Sequence, residues 1–156
     1  MTRLFSEIGT IKVVGAKRFV FRNHLKSANV GQAMYPFYEY FGDQVEENVG
    51  NAVIAISVVQ QSVSDEQVAR KIGHSGVIGL THFIHLLRKQ SRGQEGSLLV
   101  GKGWANICGV RSEKSLLIVS ARWPISGKYW CVDVVEAGRR SSFKWSAGYR
   151  VFVRNP

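Results

Sequence analysis

From residue 97 onward the sequence reads as strands, and no other feature narrows the possible folds of this chain as far. Runs rich in β-branched and aromatic residues at 98–100, 105–110, 115–123, 128–135 and 142–153 are punctuated by turn-forming stretches at 111–114, 124–127 and 136–140. Strands joined by short connections lie beside one another antiparallel. The expected C-terminal architecture is therefore an antiparallel β-meander, or a small barrel if its edges meet. A polar connector, 91–96, separates this part from what precedes it.

The middle of the chain has a different period. Pro36 stands where a first helical turn tolerates proline, and Phe37, Phe41, Val45 and Val49 follow at four-residue spacing, which predicts an amphipathic helix. Ser64 followed by Asp65, Glu66 and Gln67 has the form of a capping box, so a second helix starts there and stops near Gly73. A third is expected from a Ser75 cap to about Gln90, with Val77, Leu80, Ile84 and Leu87 as its buried stripe. Segment 52–59 is uniformly apolar and fits a buried strand or a buried helix equally. Two short β-branched runs, 11–15 and 18–22, predict an N-terminal β-hairpin. The fold class is α+β: hairpin, helical middle at about 30–90, and a strand-rich part at about 97–154. With 156 residues, 45% of them hydrophobic, one domain spanning 1–156 is expected.

Charge is unevenly spread. The chain carries 21 Lys plus Arg against 11 Asp plus Glu, a net +10. Between residues 27 and 67 there is no Lys or Arg, while Glu39, Asp43, Glu46, Glu47, Asp65 and Glu66 make that segment strongly acidic. Such segregation predicts an electrically two-sided molecule whose basic side meets a polyanion. The acidic part either folds back on the chain's own basic strands or faces outward to a partner, for which Glu39, Asp43, Glu46 and Glu47 are the candidate contacts.

Two constellations point to nucleic acid. On the third helix His82, His85 and Lys89 recur on one polar face, and two consecutive helices with a glycine between them invite comparison with a helix-turn-helix. In the strand-rich part cations alternate with flat rings: Trp104, then Arg122 with Trp123, Lys128 with Tyr129 and Trp130, Arg139 with Arg140, Phe143-Lys144-Trp145, Tyr149-Arg150 and Phe152 near Arg154. Rings stack on bases and cations track phosphates, so these residue types on one face suit DNA or RNA. Arg122, Lys128, Arg139, Arg140, Lys144, Arg150 and Arg154 are the candidate contacts there. The expected function is non-enzymatic nucleic-acid binding. The alternative is a self-associating assembly or scaffold protein, such as a phage or mobile element encodes, joined by acidic-to-basic contacts.

Other chemistries find less support. His74, His82 and His85 are close in sequence, but Cys108 and Cys131 lack the tight pairing of zinc ligands, and no metal or cofactor is expected. No serine or cysteine stands in a recognisable nucleophile setting, and no catalytic residue is assigned. Segment 48–63 is uncharged but broken by Asn51, Ser57, Gln60 and Gln61, so no membrane span is expected. Without an apolar leader a cytoplasmic location is expected, where the two cysteines read as free thiols rather than a bridge.

Overall fold

The computed structural model describes residues 2–33, 35–94, 101, 103–111, 115–125, 127–139 and 142–156, together with the side chains of all but 32, 33 and 35 among them. It is α+β, with one large mixed sheet in the order β1-β5-β11-β7-β8-β9-β3 and two small two-stranded sheets, β10-β6 and β2-β4. The strands of the large sheet are β1 (Phe5–Val13), β3 (Val30–Ala33), β5 (Ala52–Val59), β7 (Ala105–Arg111), β8 (Leu116–Arg122), β9 (Trp130–Glu136) and β11 (Arg150–Arg154). The small sheets use β2 (Ala16–Val20), β4 (Val45–Val49), β6 (Val63–Ser64) and β10 (Lys144–Trp145); the helices are α1 (Tyr35–Phe41), α2 (Asp65–Ile72) and α3 (Leu80–Lys89).

The expected meander is present as β7-β8-β9, antiparallel throughout. It opens into a wider sheet instead of closing: β11 lies parallel to β7 and antiparallel to β5, and β3 pairs parallel with β9. The last run, expected as one strand over 142–153, is divided into β10 and β11 by a turn. The apolar stretch 52–59 is the buried strand β5, flanked by β1 and β11 and contributing to clusters on both faces, hence its lack of alternation. The run 98–100 lies outside the described residues.

The two N-terminal strands exist but do not form a hairpin with each other. β1 pairs with β5 up to Val13↔Ala52, and β2 takes up the same antiparallel register with β4 from Ala16↔Val49. The two pairs thus make one long ribbon bent between Val13 and Ala16, where the Gly15 amide donates to Asn51 Oδ1 at 3.0 Å.

Both faces of the large sheet are covered. Consecutive residues such as Ile107 and Cys108, Ile118 and Val119, or Val151 and Phe152 enter opposite clusters, as a period of two requires. On one face Phe37 and Phe41 of α1 and Leu80, Phe83, Ile84 and Leu87 of α3 pack on Ile54, Cys108, Val119, Val132 and Phe152. On the other, Val68 and Ile72 of α2 and Trp145 of β10 pack on Ile107, Ile118 and Val151. The capping box of α2 forms as expected: Gln67 N donates to Ser64 Oγ and the Gln67 side chain accepts from Ser64 N. Trp145 Nε1 donates to the buried Asp65 carboxylate at 2.7 Å, which ties the start of α2 to β10.

Two helix expectations need correction. The predicted helix over 37–49 ends at Phe41, and Val45–Val49 is a strand. A four-residue spacing of valines satisfies a strand's period of two as well as a helix, so the pattern alone did not separate them. The third helix begins at Leu80 rather than after Ser75; Ile78 forms a parallel bridge with Val110 instead. Gly73, Gly76 and Gly79 weaken helix formation over that stretch, and the cap comes from Glu46 instead.

Candidate nucleic-acid interface

The strand registers collect the rings at one end of the sheet. Ala105 pairs with Arg122, Arg122 with Cys131, and Arg150 with Asn106. Trp104, Trp123, Tyr129 and Tyr149, each adjoining these positions, therefore project from the same end, as does the buried Trp130. Trp130 packs edge-on against Trp123 at 5.3 Å and donates its Nε1–H to the Gln90 carbonyl at 2.9 Å. That bond draws the C-terminus of α3 to the ring end. Asn29 Nδ2 reinforces it, donating at 2.7 Å to both the Ser91 and Lys128 carbonyls.

Three of these rings rest on glycines. A Cβ on Gly148 would overlap the Trp104 ring, one on Gly31 the Tyr129 ring, and one on Gly93 the Trp123 ring. Trp104 is thereby seated from beneath, yet 46% exposed, and Tyr129 is 40% exposed. Gly148 is needed twice over, since its φ of 89° also lies in the left-handed region. Tyr149 stands 6.5 Å from Trp104, and the Arg122 guanidinium lies 5.0 Å from the Tyr149 ring centroid. Arg122 is held there by donating to the Tyr149 hydroxyl at 2.9 Å and to the Gly103 carbonyl at 3.0 Å.

Five of the cations expected to touch nucleic acid adjoin this end. Arg122 is within the ring cluster, Lys128 precedes Tyr129, and Lys89 is exposed on the last turn of α3 beside Arg88. Arg150 is half-buried at the start of β11, and burial lowers its pKa from the ordinary arginine value. Lys144 is exposed on β10, behind the buried Trp145, whose ring is 6.3 Å from Tyr149.

The others are elsewhere. Arg139 follows β9 at the opposite end, 3.7 Å from Glu136, and Arg154 ends β11 there. Arg140 lies outside the described residues. His82 is not on a solvent face: it is 1% exposed, Nδ1 accepts from Gly79 N at 3.2 Å, and Nε2 donates to the Gly50 carbonyl at 2.8 Å. It fastens α3 to the bend of the ribbon. His85 is half-buried with its Nε2 unpartnered. The helix-turn-helix comparison also fails, because α2 and α3 pack on opposite faces of the sheet and Leu80–Leu87 of α3 is buried apart from His85.

The acidic segment engages its own chain. Glu46 accepts from Leu80 N at 2.9 Å, Thr81 N at 2.7 Å and Thr81 Oγ1 at 2.6 Å, capping α3. Asp43 pairs with Arg22, and Glu47 lies 3.9 Å from Arg18. Glu39 is exposed on α1, which the Tyr40 hydroxyl fastens to Glu136 at 2.7 Å. These acids lie around the end of the sheet away from the rings. Near the ring end are Glu7, the buried Asp65 and Glu66, the last paired with Arg70 at 2.7 Å.

Sequence reading named Trp104, Tyr129 and Tyr149 as members of an alternation but chose only their basic neighbours as contacts. The signal that distinguishes them is the glycine beneath each seated ring, 44 residues away for Trp104 and 98 for Tyr129, as the positions of Gly148 and Gly31 give. Cys108 on β7 and Cys131 on β9 are not joined in a disulfide, and burial pushes both thiol pKa values up. Among the described residues no three His, Cys, Asp or Glu side chains gather to hold a metal ion, and no helix is long and apolar enough to cross a membrane.

His24 and His85 give the structure an acid sensitivity. Burial holds both imidazoles below the ordinary 6.5, helped by Arg88 at His24 and by Lys89, Arg88 and His82 at His85. The unfolded chain therefore takes up protons near pH 6.5 that the folded chain refuses, and stability is lost as pH falls below that value. The urea midpoint is expected to be lower at pH 5.5 than at pH 7.5, with a smaller difference in the double variant His24→Asn, His85→Asn. An unchanged difference in that variant would place the acid sensitivity elsewhere.

Comparisons with family models, curated proteins and solved structures return no match to this chain.

Proposed function

We propose that this protein binds nucleic acid, DNA or RNA, at the ring-bearing end of its large sheet. The observation that carries the reading is the Arg122–Tyr149–Trp104 group: a fixed guanidinium against one ring, with a second, half-exposed ring beside it. Flat rings offer surfaces on which bases stack, and a guanidinium adds both charge and a further plane. Lys89 and Lys128 extend positive charge around the rings, and the net +10 supplies long-range attraction to a polyanion. The assembly alternative has less to draw on in the acidic segment, because Glu46 is taken up in capping α3, while Glu39, Asp43 and Glu47 stay at the surface, the last two in exposed pairs with Arg22 and Arg18.

Fluorescence anisotropy with labelled oligonucleotides across a salt series tests the reading. Binding should weaken as salt rises, with a slope of log affinity against log salt of about −0.7 to −0.9 for each phosphate neutralised. Absence of binding to any DNA or RNA, or an affinity indifferent to salt, would refute it.

A further inference from the structure

We infer that the occupant of the ring-bearing end is single-stranded nucleic acid, with unpaired bases stacked on Trp104 and Tyr129. The inference rests on the nucleic-acid reading above and specifies its substrate.

The first ground is the way the rings are held. Trp104 is seated on Gly148, whose amide donates to the Val59 carbonyl at 2.8 Å, and Tyr129 is seated on Gly31. Neither ring can withdraw toward the backbone beneath it, and each keeps much of its surface in water. Covering such a surface requires a flat apolar face. In a duplex every base face is already stacked on its neighbours and the grooves offer only edges, whereas a single strand has faces to give.

The second ground is the lack, among the described residues, of an element suited to a duplex groove. A groove reader presents an exposed helix or two-stranded ribbon with base-contacting side chains. α3 is buried along nearly its whole length, and α2 joins its outward Glu66 and Arg70 to each other. The β2-β4 ribbon lies toward the other end, pairs its Arg18 with Glu47 and turns Glu46 onto α3.

The third ground is spacing. Trp104 adjoins β7 and Tyr129 adjoins β9, with β8 between them, so their backbones are separated by two inter-strand intervals, about 10 Å. Arg122, on β8, turns its guanidinium to Tyr149 on the Trp104 side, and Lys128 immediately precedes Tyr129, so each of the two rings has a cation near it for the phosphate of the base it stacks. Ile125, 88% exposed in the β8–β9 connection, adds apolar surface beside Gly103.

Tryptophan fluorescence of the full chain tests this, because Trp130 and Trp145 are buried, Trp123 is half-buried against Trp130, and Trp104 is the most exposed of the four indoles. The probes are oligo-dT and oligo-U of about 15 nucleotides, a mixed-sequence duplex of the same length, and vesicles containing phosphatidylserine. The single strands should quench the fluorescence and bind more tightly than the duplex. Trp104→Phe should abolish most of the quench while keeping most of the affinity, and Trp104→Ala should weaken single-strand binding roughly 5- to 100-fold. Tyr129→Ala provides a second variant should Trp104→Ala fail to melt cooperatively. A folded alanine variant that binds single strands like the parent overturns the inference. Duplex binding as tight as single-strand binding, without quench, overturns the strand-state inference and leaves the nucleic-acid reading intact. Binding to neither, including the case in which only the vesicles quench, overturns both.

Discussion

Glu46→Ala is expected to lower the melting temperature by about 5–15 °C, corresponding to a loss of roughly 2–4 kcal/mol in a chain of this size. One carboxylate accepts from two backbone amides and a hydroxyl at the N-terminus of α3, where the helix's own carbonyls offer nothing. Its negative charge also suits that terminus. Alanine would leave these donors in a half-buried site, and α3 carries much of the core on its face of the sheet. Glu46→Gln keeps an acceptor oxygen without the charge and should lose less. Asp43→Ala and Glu47→Ala remove exposed ion pairs and should each cost under about 1 kcal/mol. Differential scanning calorimetry of the four variants checks the ordering. A Glu46→Ala melt within about 2 °C of the parent would show that α3 does not depend on this cap. By the same geometry, reversing Glu46 and Glu47 to lysine should destabilise the fold rather than separate one copy from another.

Reversing Lys89 and Lys128 to glutamate together should weaken nucleic-acid binding about 100-fold near 0.1 M salt and make the salt slope shallower by about 2. Both side chains are exposed beside the rings, so the change removes phosphate contacts without opening the core. The matched control is Arg139→Glu with Arg154→Glu, which alters net charge identically at the other end of the strands. Its effect should be much smaller, because exposed charges farther away than a Debye length of about 10 Å are screened. Anisotropy on both pairs in one salt series makes the comparison. Equal losses would mean that overall charge, and not the ring-bearing end, attracts the oligonucleotide.

Much of the architecture was legible locally. The capping box at Ser64 could be read because both its hydrogen bonds join residues three apart. β7, β8 and β9 could be read because each run is β-rich and bounded by turn residues, and a short connection leaves little choice but antiparallel neighbours. The charge imbalance and the alternation of rings with cations were also visible, and with them the class of partner proposed here.

Other features depend on residues far apart in sequence. The start of α3 is set by Glu46, 34 residues from Leu80, and local reading assigned the cap to Ser75, the nearest suitable side chain. Val45–Val49 became a strand because β2 was available to pair with it, a choice its four-residue spacing left open. His82 looked like a surface contact because its neighbours on the helix are polar, but Gly50 meets it from the ribbon and buries it. The candidate site itself follows from strand order: only when β11 enters beside β7, and β9 lies two strands away, do Tyr149, Trp104, Arg122 and Tyr129 come to one end of the sheet. Sequence alone determined which local pieces the chain contains and the sign of its charge, because propensities, caps and tight turns act over a few residues. Tertiary structure decided which pieces pair, which polar groups are consumed in holding them together and which rings remain open to solvent, because those outcomes depend on partners that burial selects from anywhere along the chain.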